Sequence, residues 1–177
     1  SRGHPSDYDE WVDVAGCKGW SYAEVLPYFK RSEHNEDFGD DSHHGKDGPL
    51  NVSSLKKPNK LADVLFEATD ALQIPRRKDF NGAEQDGAGY RQVTVKNGKR
   101  HSAAAAFLDP VKHRPNLTII TEATVDKIIL QGKQATGIEI IQAGERRTIN
   151  ANREVIISCG TIISPNILMR SGIGDPA

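Results

Sequence analysis

Residues 153–174, Arg-Glu-Val-Ile-Ile-Ser-Cys-Gly-Thr-Ile-Ile-Ser-Pro-Asn-Ile-Leu-Met-Arg-Ser-Gly-Ile-Gly, decide the reading of this chain. Val155, Ile156 and Ile157 form a short apolar run ending at Ser158, Cys159 and Gly160, which predicts a buried strand punctuated by glycine. Ser164 suits a helix N-cap and Pro165 the first helical position. Ile167, Leu168 and Met169 supply apolar helix residues, and Gly172 suits the stop. Strand, glycine turn, helix and glycine exit make a βα unit, and in open α/β sheets ligands bind outside the carboxyl end of such strands.

Outward from that segment, residues 117–121, 124–130, 134–141 and 145–151 read as further strands. The middle two are predicted to pair as a hairpin across Gly132-Lys133. Towards the N-terminus, Ser6 is expected to cap a helix from Asp7 to about Val14. Ser21 and Glu24 form a capping box for a second helix, Tyr22 to about Arg31, in which Pro27 should cause a kink or an early break. Residues 34–48 are polar and glycine-rich and predict an exposed loop. A third helix is expected from Asn59 to Leu72, with Leu61, Val64, Leu65 and Ala68 on one face. A long loop covers 75–89, a strand Tyr90 to Val95, a turn Asn97-Gly98 and a helix Ser102 to Leu108, with Ser102 as its cap.

Composition narrows the classes. Hydrophobic residues are 37% and charged residues 27%, with a formal net charge of −1. That balance offers no electrostatic case for nucleic acid or an anionic membrane. No apolar run approaches the roughly 18 residues of a transmembrane helix. Cys17 and Cys159 are the only cysteines, too few for a disulfide framework, and Cys159 reads as a small apolar residue. His34, His43 and His44 with Asp37, Asp40 and Asp41 lack a defined ligand spacing, so a solvated loop is expected there and no metal site. Asn51-Val52-Ser53 and Asn116-Leu117-Thr118 match glycosylation sequons by chance on predicted strands. Gln92 and Thr94 share one face of their strand, because side chains alternate with period two. That face is either a cavity wall or a solvent-facing polar stripe.

Residues Gly160 to Gly174 resemble the second signature of the glucose–methanol–choline (GMC) flavin oxidoreductases. Other stretches agree in the same order: Arg2-Gly3-His4-Pro5-Ser6-Asp7-Tyr8-Asp9-Glu10-Trp11, Gly19-Trp20-Ser21-Tyr22, His44-Gly45 with Gly48-Pro49-Leu50, Asp79-Phe80-Asn81-Gly82, Asn97-Gly98-Lys99-Arg100 and Arg114-Pro115-Asn116-Leu117. The resemblance covers nearly the whole chain. It is strongest towards the choline-dehydrogenase-like and aliphatic alcohol dehydrogenase branch.

The resemblance implies an α/β to α+β fold, with part of a Rossmann-like FAD-binding domain and part of an antiparallel-sheet substrate-binding domain. Residues 1–34 would be a helical segment near the FAD domain, 35–110 part of the substrate domain, and 111–177 strands and helix of the FAD domain. FAD is the implied cofactor, held by Val125 through its backbone and by Ser158, Cys159 and Gly160. Gln92 and Thr94 would then face the substrate, a small primary alcohol or choline oxidised to the aldehyde. The family's dinucleotide fingerprint and catalytic histidine pair have no counterpart here. Gly172-Ile173-Gly174-Asp175-Pro176-Ala177 fits G-x-G-x-x-A only on paper, since it follows a helix. The expectation is therefore an internal piece of a longer enzyme, inactive alone and carrying no catalytic residue. The rival is a non-enzymatic binding or structural module on the same fold. The resemblance suggests a cytoplasmic protein, and an electron acceptor at the membrane periphery would make it membrane-associated.

Overall fold

The computed structural model describes residues 1–174, and its chain divides into two compact units, Ser1–Leu117 and Thr118–Ala177. Asp175, Pro176 and Ala177, the end of the G-x-G-x-x-A match, lie outside the described residues.

In the first unit, α1 spans Pro5–Asp13 and α2 spans Tyr22–Ser32. Proline occupies the first position of α1, where its missing N–H costs nothing. The cap is His4 rather than Ser6: His4 Nδ1 accepts from Ser6 N–H at 3.3 Å, and Asp7 Oδ2 accepts from His4 N–H at 2.8 Å. The predicted capping box of α2 is present, with Glu24 Oε2 accepting from Ser21 N–H at 3.1 Å and from Ser21 Oγ at 2.6 Å. Pro27 sits inside α2 without ending it. Tyr8 joins the two helices through ring contacts to Tyr22 and Phe29, centroids 6.0 and 5.8 Å apart.

The polar stretch after α2 is an exposed loop only in part, because it starts with a strand and buries His44 and Gly45. Strand β1 (Glu33–Asn35) pairs in parallel with β2 (Leu50–Val52), and the intervening chain folds back so that His44 and Gly45 are buried. Helix α3 covers Leu61–Ala71. Its buried residue is Phe66, while Leu61, Val64 and Leu65 are 74%, 60% and 62% exposed, so the expected apolar face is not the packed one. Phe66 is held from two sides, by Tyr90 edge-on at 4.8 Å and by the Arg76 guanidinium at 4.4 Å.

The predicted strand 90–95 shrinks to β3 (Val95–Lys96), which turns through Asn97-Gly98 into β4 (Lys99–Arg100). Val93 forms an isolated antiparallel bridge with Ser53. The alanine-rich helix is a π-helical turn, Ala104–Leu108, with Ser102 Oγ accepting from Ala105 N–H at 3.2 Å.

The second unit is a three-stranded antiparallel sheet in the order β5 (Ala123–Gln131), β6 (Gln134–Gln142), β7 (Glu145–Asn150), covered by α4 (Gly160–Arg170). Ile128, Ile140 and Ile167 are its buried core. The hairpin register confirms the predicted turn, with Gln131 opposite Gln134. Residues 117–121 and 155–158 are not strands: no ladder partner takes them among the described residues, and extended chain without a ladder is not sheet. Ile156 is 77% exposed rather than buried. Helix α4 begins at Gly160, four residues before the expected cap, and Pro165 lies inside it. Ser164 still satisfies the helix start, because its Oγ accepts from Cys159 N–H at 3.1 Å. The predicted stop holds: Gly172 N–H donates to Met169 O and Ile173 N–H to Leu168 O, the two bonds of a Schellman end.

Candidate functional site

In the first unit, Gln92 and Thr94 both line a cavity of about 220 Å³, together with Arg2, Phe29, Glu33 and Asn81. Gln92 is locked in place: its Oε1 accepts from Asn35 Nδ2 at 2.9 Å, and its Nε2 donates to Asn35 Oδ1 at 3.0 Å and Asp37 Oδ2 at 2.9 Å. The Val93–Ser53 bridge fixes the backbone between Gln92 and Thr94. Both Nε2 hydrogens of Gln92 are thus taken, and the wall offers a small polar molecule the Thr94 hydroxyl and the remaining lone pair of Gln92 Oε1.

Behind that wall lies a cluster whose function sequence reasoning missed. His44 is 1% exposed and has a carboxylate at each ring nitrogen: Glu33 Oε2 at 3.0 Å from Nδ1 and Asp79 Oδ2 at 2.8 Å from Nε2. Arg2 Nη2 donates to Glu33 Oε2 at 2.9 Å, and Gly45 N–H donates to the same oxygen at 3.0 Å. Asn35 Nδ2 also approaches His44 Nδ1 at 3.0 Å, but its hydrogens are directed to Gln92 Oε1 and Glu33 Oε1. Arg2 N–H reaches Asn81 Oδ1 at 2.7 Å, so the turn Asp79–Asn81 is tied to the same cluster.

Electrostatics favours an imidazolium here, because a neutral ring could donate to only one of two carboxylates. Burial is the largest influence on His44 and opposes its charge. The hydrogen bonds and charges of Glu33 and Asp79 outweigh it, and the pKa is raised. Burial is also the largest influence on Glu33 and pushes its pKa up. Hydrogen bonds from His44 and Gly45 and the charge of Arg2 prevail, and it is lowered. Held between two carboxylates, His44 is suited to bracing the wall.

The signal for this cluster was present in the sequence. Arg2, His44-Gly45 and Asp79 to Asn81 all fall in stretches that carry the family resemblance. Gly45 shows why one of them admits no side chain: a Cβ there would lie 1.9 Å from Lys30 O. Gly45→Ala is therefore expected to shift backbone and cost about 1–3 kcal/mol, read as a lower urea midpoint. An unchanged midpoint would show that the chain around Lys30 yields freely.

In the second unit, Val125 lies on β5, an edge strand whose outer backbone groups are not taken by another strand among the described residues. Ser158, Cys159 and Gly160 lead into α4 and are all exposed; Cys159 is thus not the buried residue its position after an apolar run suggested. Gly160 adopts φ +83°, with nothing within 4 Å of the site a Cβ would occupy. The N-cap residue Cys159 provides no side-chain cap, and its own N–H is taken by Ser164 Oγ. A helix start without a side-chain cap and a glycine with free surroundings offer N–H donors that favour a negatively charged group.

Among the described residues, no group of three or more His, Cys, Asp or Glu side chains converges as metal ligands would. Among the same residues, no helix is long and apolar enough to cross a membrane.

The profile of one protein family, GMC oxidoreductase, matches residues 1–177. The chain belongs to the GMC oxidoreductase family. Among curated relatives, an oxygen-dependent choline dehydrogenase of Brucella anthropi is 44% identical over 176 residues, covering 99% of this chain and 32% of the relative. Oxygen-dependent choline dehydrogenase 1 of Chromohalobacter salexigens is 42% identical over 177 residues, covering 99% of this chain and 31% of the relative. The chain therefore spans about a third of the length of these GMC proteins. The crystal structure of pyridoxine 4-oxidase from Mesorbium loti superposes with a TM-score of 0.86 at 36% identity, over 97% of this chain and 34% of that one. An FAD-dependent oxidoreductase from Chaetomium thermophilum gives 0.84 at 28% identity, over 97% and 32%.

Proposed function

We propose that this GMC chain is part of an FAD-dependent oxidoreductase that oxidises a small primary alcohol, choline among the candidates, to the aldehyde. The observation that carries the reading is the match to choline dehydrogenases and a pyridoxine oxidase along almost the whole chain. Residues 1–34 and 111–177 would serve the cofactor and 35–110 the substrate.

FAD, when bound, supplies the acceptor for the hydride that leaves the alcohol carbon. The residues of this chain bind and orient. Val125 offers backbone groups to the adenine, and Ser158, Cys159 and Gly160 bring the open helix start against the nucleotide. Thr94 offers its hydroxyl to the alcohol, Gln92 can accept from the alcohol at Oε1, and the Arg2–Glu33–His44–Asp79 cluster keeps their wall rigid. A rigid wall matters because misplacing reacting groups by about 1 Å can cost 100-fold in rate.

The test is anaerobic reduction of the flavin in the intact protein by choline, pyridoxine and simple primary alcohols. Bleaching by at least one of them, slowed by Gln92→Ala, is expected. A bound flavin that none of them reduces would point to the second reading, a binding or structural module derived from the same fold.

A further inference from the structure

We infer that Asp126 and Arg170 form a positioning clamp that sets the adenine-facing edge of β5 against helix α4, an inference that rests on the flavin reading above. The register of β5 against β6 shifts between Val125 and Lys127, which makes Asp126 a bulge residue. Its backbone carbonyl accepts from Arg170 Nε at 3.0 Å. One carboxylate oxygen accepts from Arg170 Nη2, and the other from Arg146 Nη1 at 2.6 Å. Arg146 also pairs with Glu139 on β6. One residue beyond Lys127, Ile128 N–H donates to Ser171 Oγ at 2.8 Å, and that hydroxyl donates to Ile167 O at 2.6 Å. The last residue of α4 and the residue after it are thus both stitched to the bulge.

The Asp126 side chain is only 9% exposed. Its partners Arg170 and Arg146 are 54% and 60% exposed, so the pairs add little stability; what they do provide is a single register. A bulge, for its part, re-aims the strand residues beside it. Here the neighbour is Val125. Helix α4 is a rod of 11 residues, about 16 Å long at 1.5 Å per residue. Fixing its Arg170 end therefore also fixes the Gly160 end. The clamp sets the distance between the two features assigned to the nucleotide, the Val125 backbone and the Ser158–Gly160 turn.

The experiment deflavinates the intact protein and titrates it with FAD and with FMN, which lacks the adenine, for wild type, Arg170→Met and Asp126→Asn. Apo-protein melting is followed in parallel. Arg170 is half-exposed, so its variant is the one least disturbing to folding even if Asp126→Asn is not stable. The FAD dissociation constant should rise roughly tenfold, as when groups that orient ligand contacts are removed. The FMN constant of Arg170→Met should stay the same even where the apo melting midpoint falls, since the Asp126 carboxylate loses a partner, and Arg170→Lys should restore only part of the loss. Equal weakening of FAD and FMN together with a lower apo midpoint would make the clamp merely structural and overturn it. Unchanged FAD affinity would overturn it as well. A wild-type protein that binds no FAD would defeat the flavin reading itself, and the clamp with it.

Discussion

Glu33→Ala is expected to remove about 3–5 kcal/mol of unfolding free energy, the range for breaking a buried ion pair from one side. Glu33 Oε2 is shared by Arg2, His44 and the Gly45 N–H. Its loss leaves Arg2 and His44, with side chains 8% and 0% exposed, without the carboxylate they share. The Lys46–Asp40 pair, whose side chains are 61% and 89% exposed, is the control, and Lys46→Ala should change little. Urea unfolding of the three proteins measures the difference.

The same cluster has a pH signature with a definite sign. Glu33 has its pKa lowered from 4.5, so its contribution is present above pH 4.5 and disappears as pH falls through the lowered value. His44 has its pKa raised from 6.5, so its contribution is complete below pH 6.5 and is lost as pH rises through the raised value. Stability from the cluster is thus greatest between these two ordinary values and falls on both sides. Glu33→Ala should flatten the acid limb and weaken the alkaline one. Two limbs that survive the substitution unchanged would place the titration elsewhere.

The second large effect concerns Gly160→Val in the intact protein, where flavin loading should fall sharply. At φ +83° a β-branched residue is strained, by about 1–3 kcal/mol. No protein atom stands within 4 Å of the added Cβ, so the cost inside the chain is conformational rather than a clash. Gly160→Ala shares the positive-φ strain and adds much less volume. If the nucleotide lies against this turn, valine should lower flavin content well below alanine, while the exposed Lys57→Ala retains full loading. Equal flavin in all of them would make Gly160 a turn residue only, and would move the cofactor away from it.

These effects follow from features that differed in how openly the sequence showed them. The β5–β6 hairpin was legible because two β-branched runs flank a glycine turn, and the α2 start because Ser21 and Glu24 are spaced as a capping box. The start of α4 was misplaced because Ser164-Pro165 imitates a cap, whereas Ser164 reaches back to Cys159 from inside the helix. Local pattern also suggested strands at 117–121 and 155–158, but a strand is a property of two chains, and no partner joins them among the described residues. The buried cluster was the least visible. Residues 34–48 are polar and glycine-rich, which in composition equals a loop. Only the pairing of Glu33, His44 and Asp79, 35 residues apart at its widest His–Asp contact, turns that polarity into an interior. Gln92 and Thr94 were placed on one wall by strand periodicity, though the strand itself is nearly absent and a single bridge at Val93 does the work.

The most direct test of the account is the flavin content of the purified intact protein after gel filtration, measured by its visible absorbance. Flavin should co-elute with the protein, be identified as FAD after release, and be depleted by Gly160→Val. A colourless wild-type protein that takes up no FAD when titrated would contradict it.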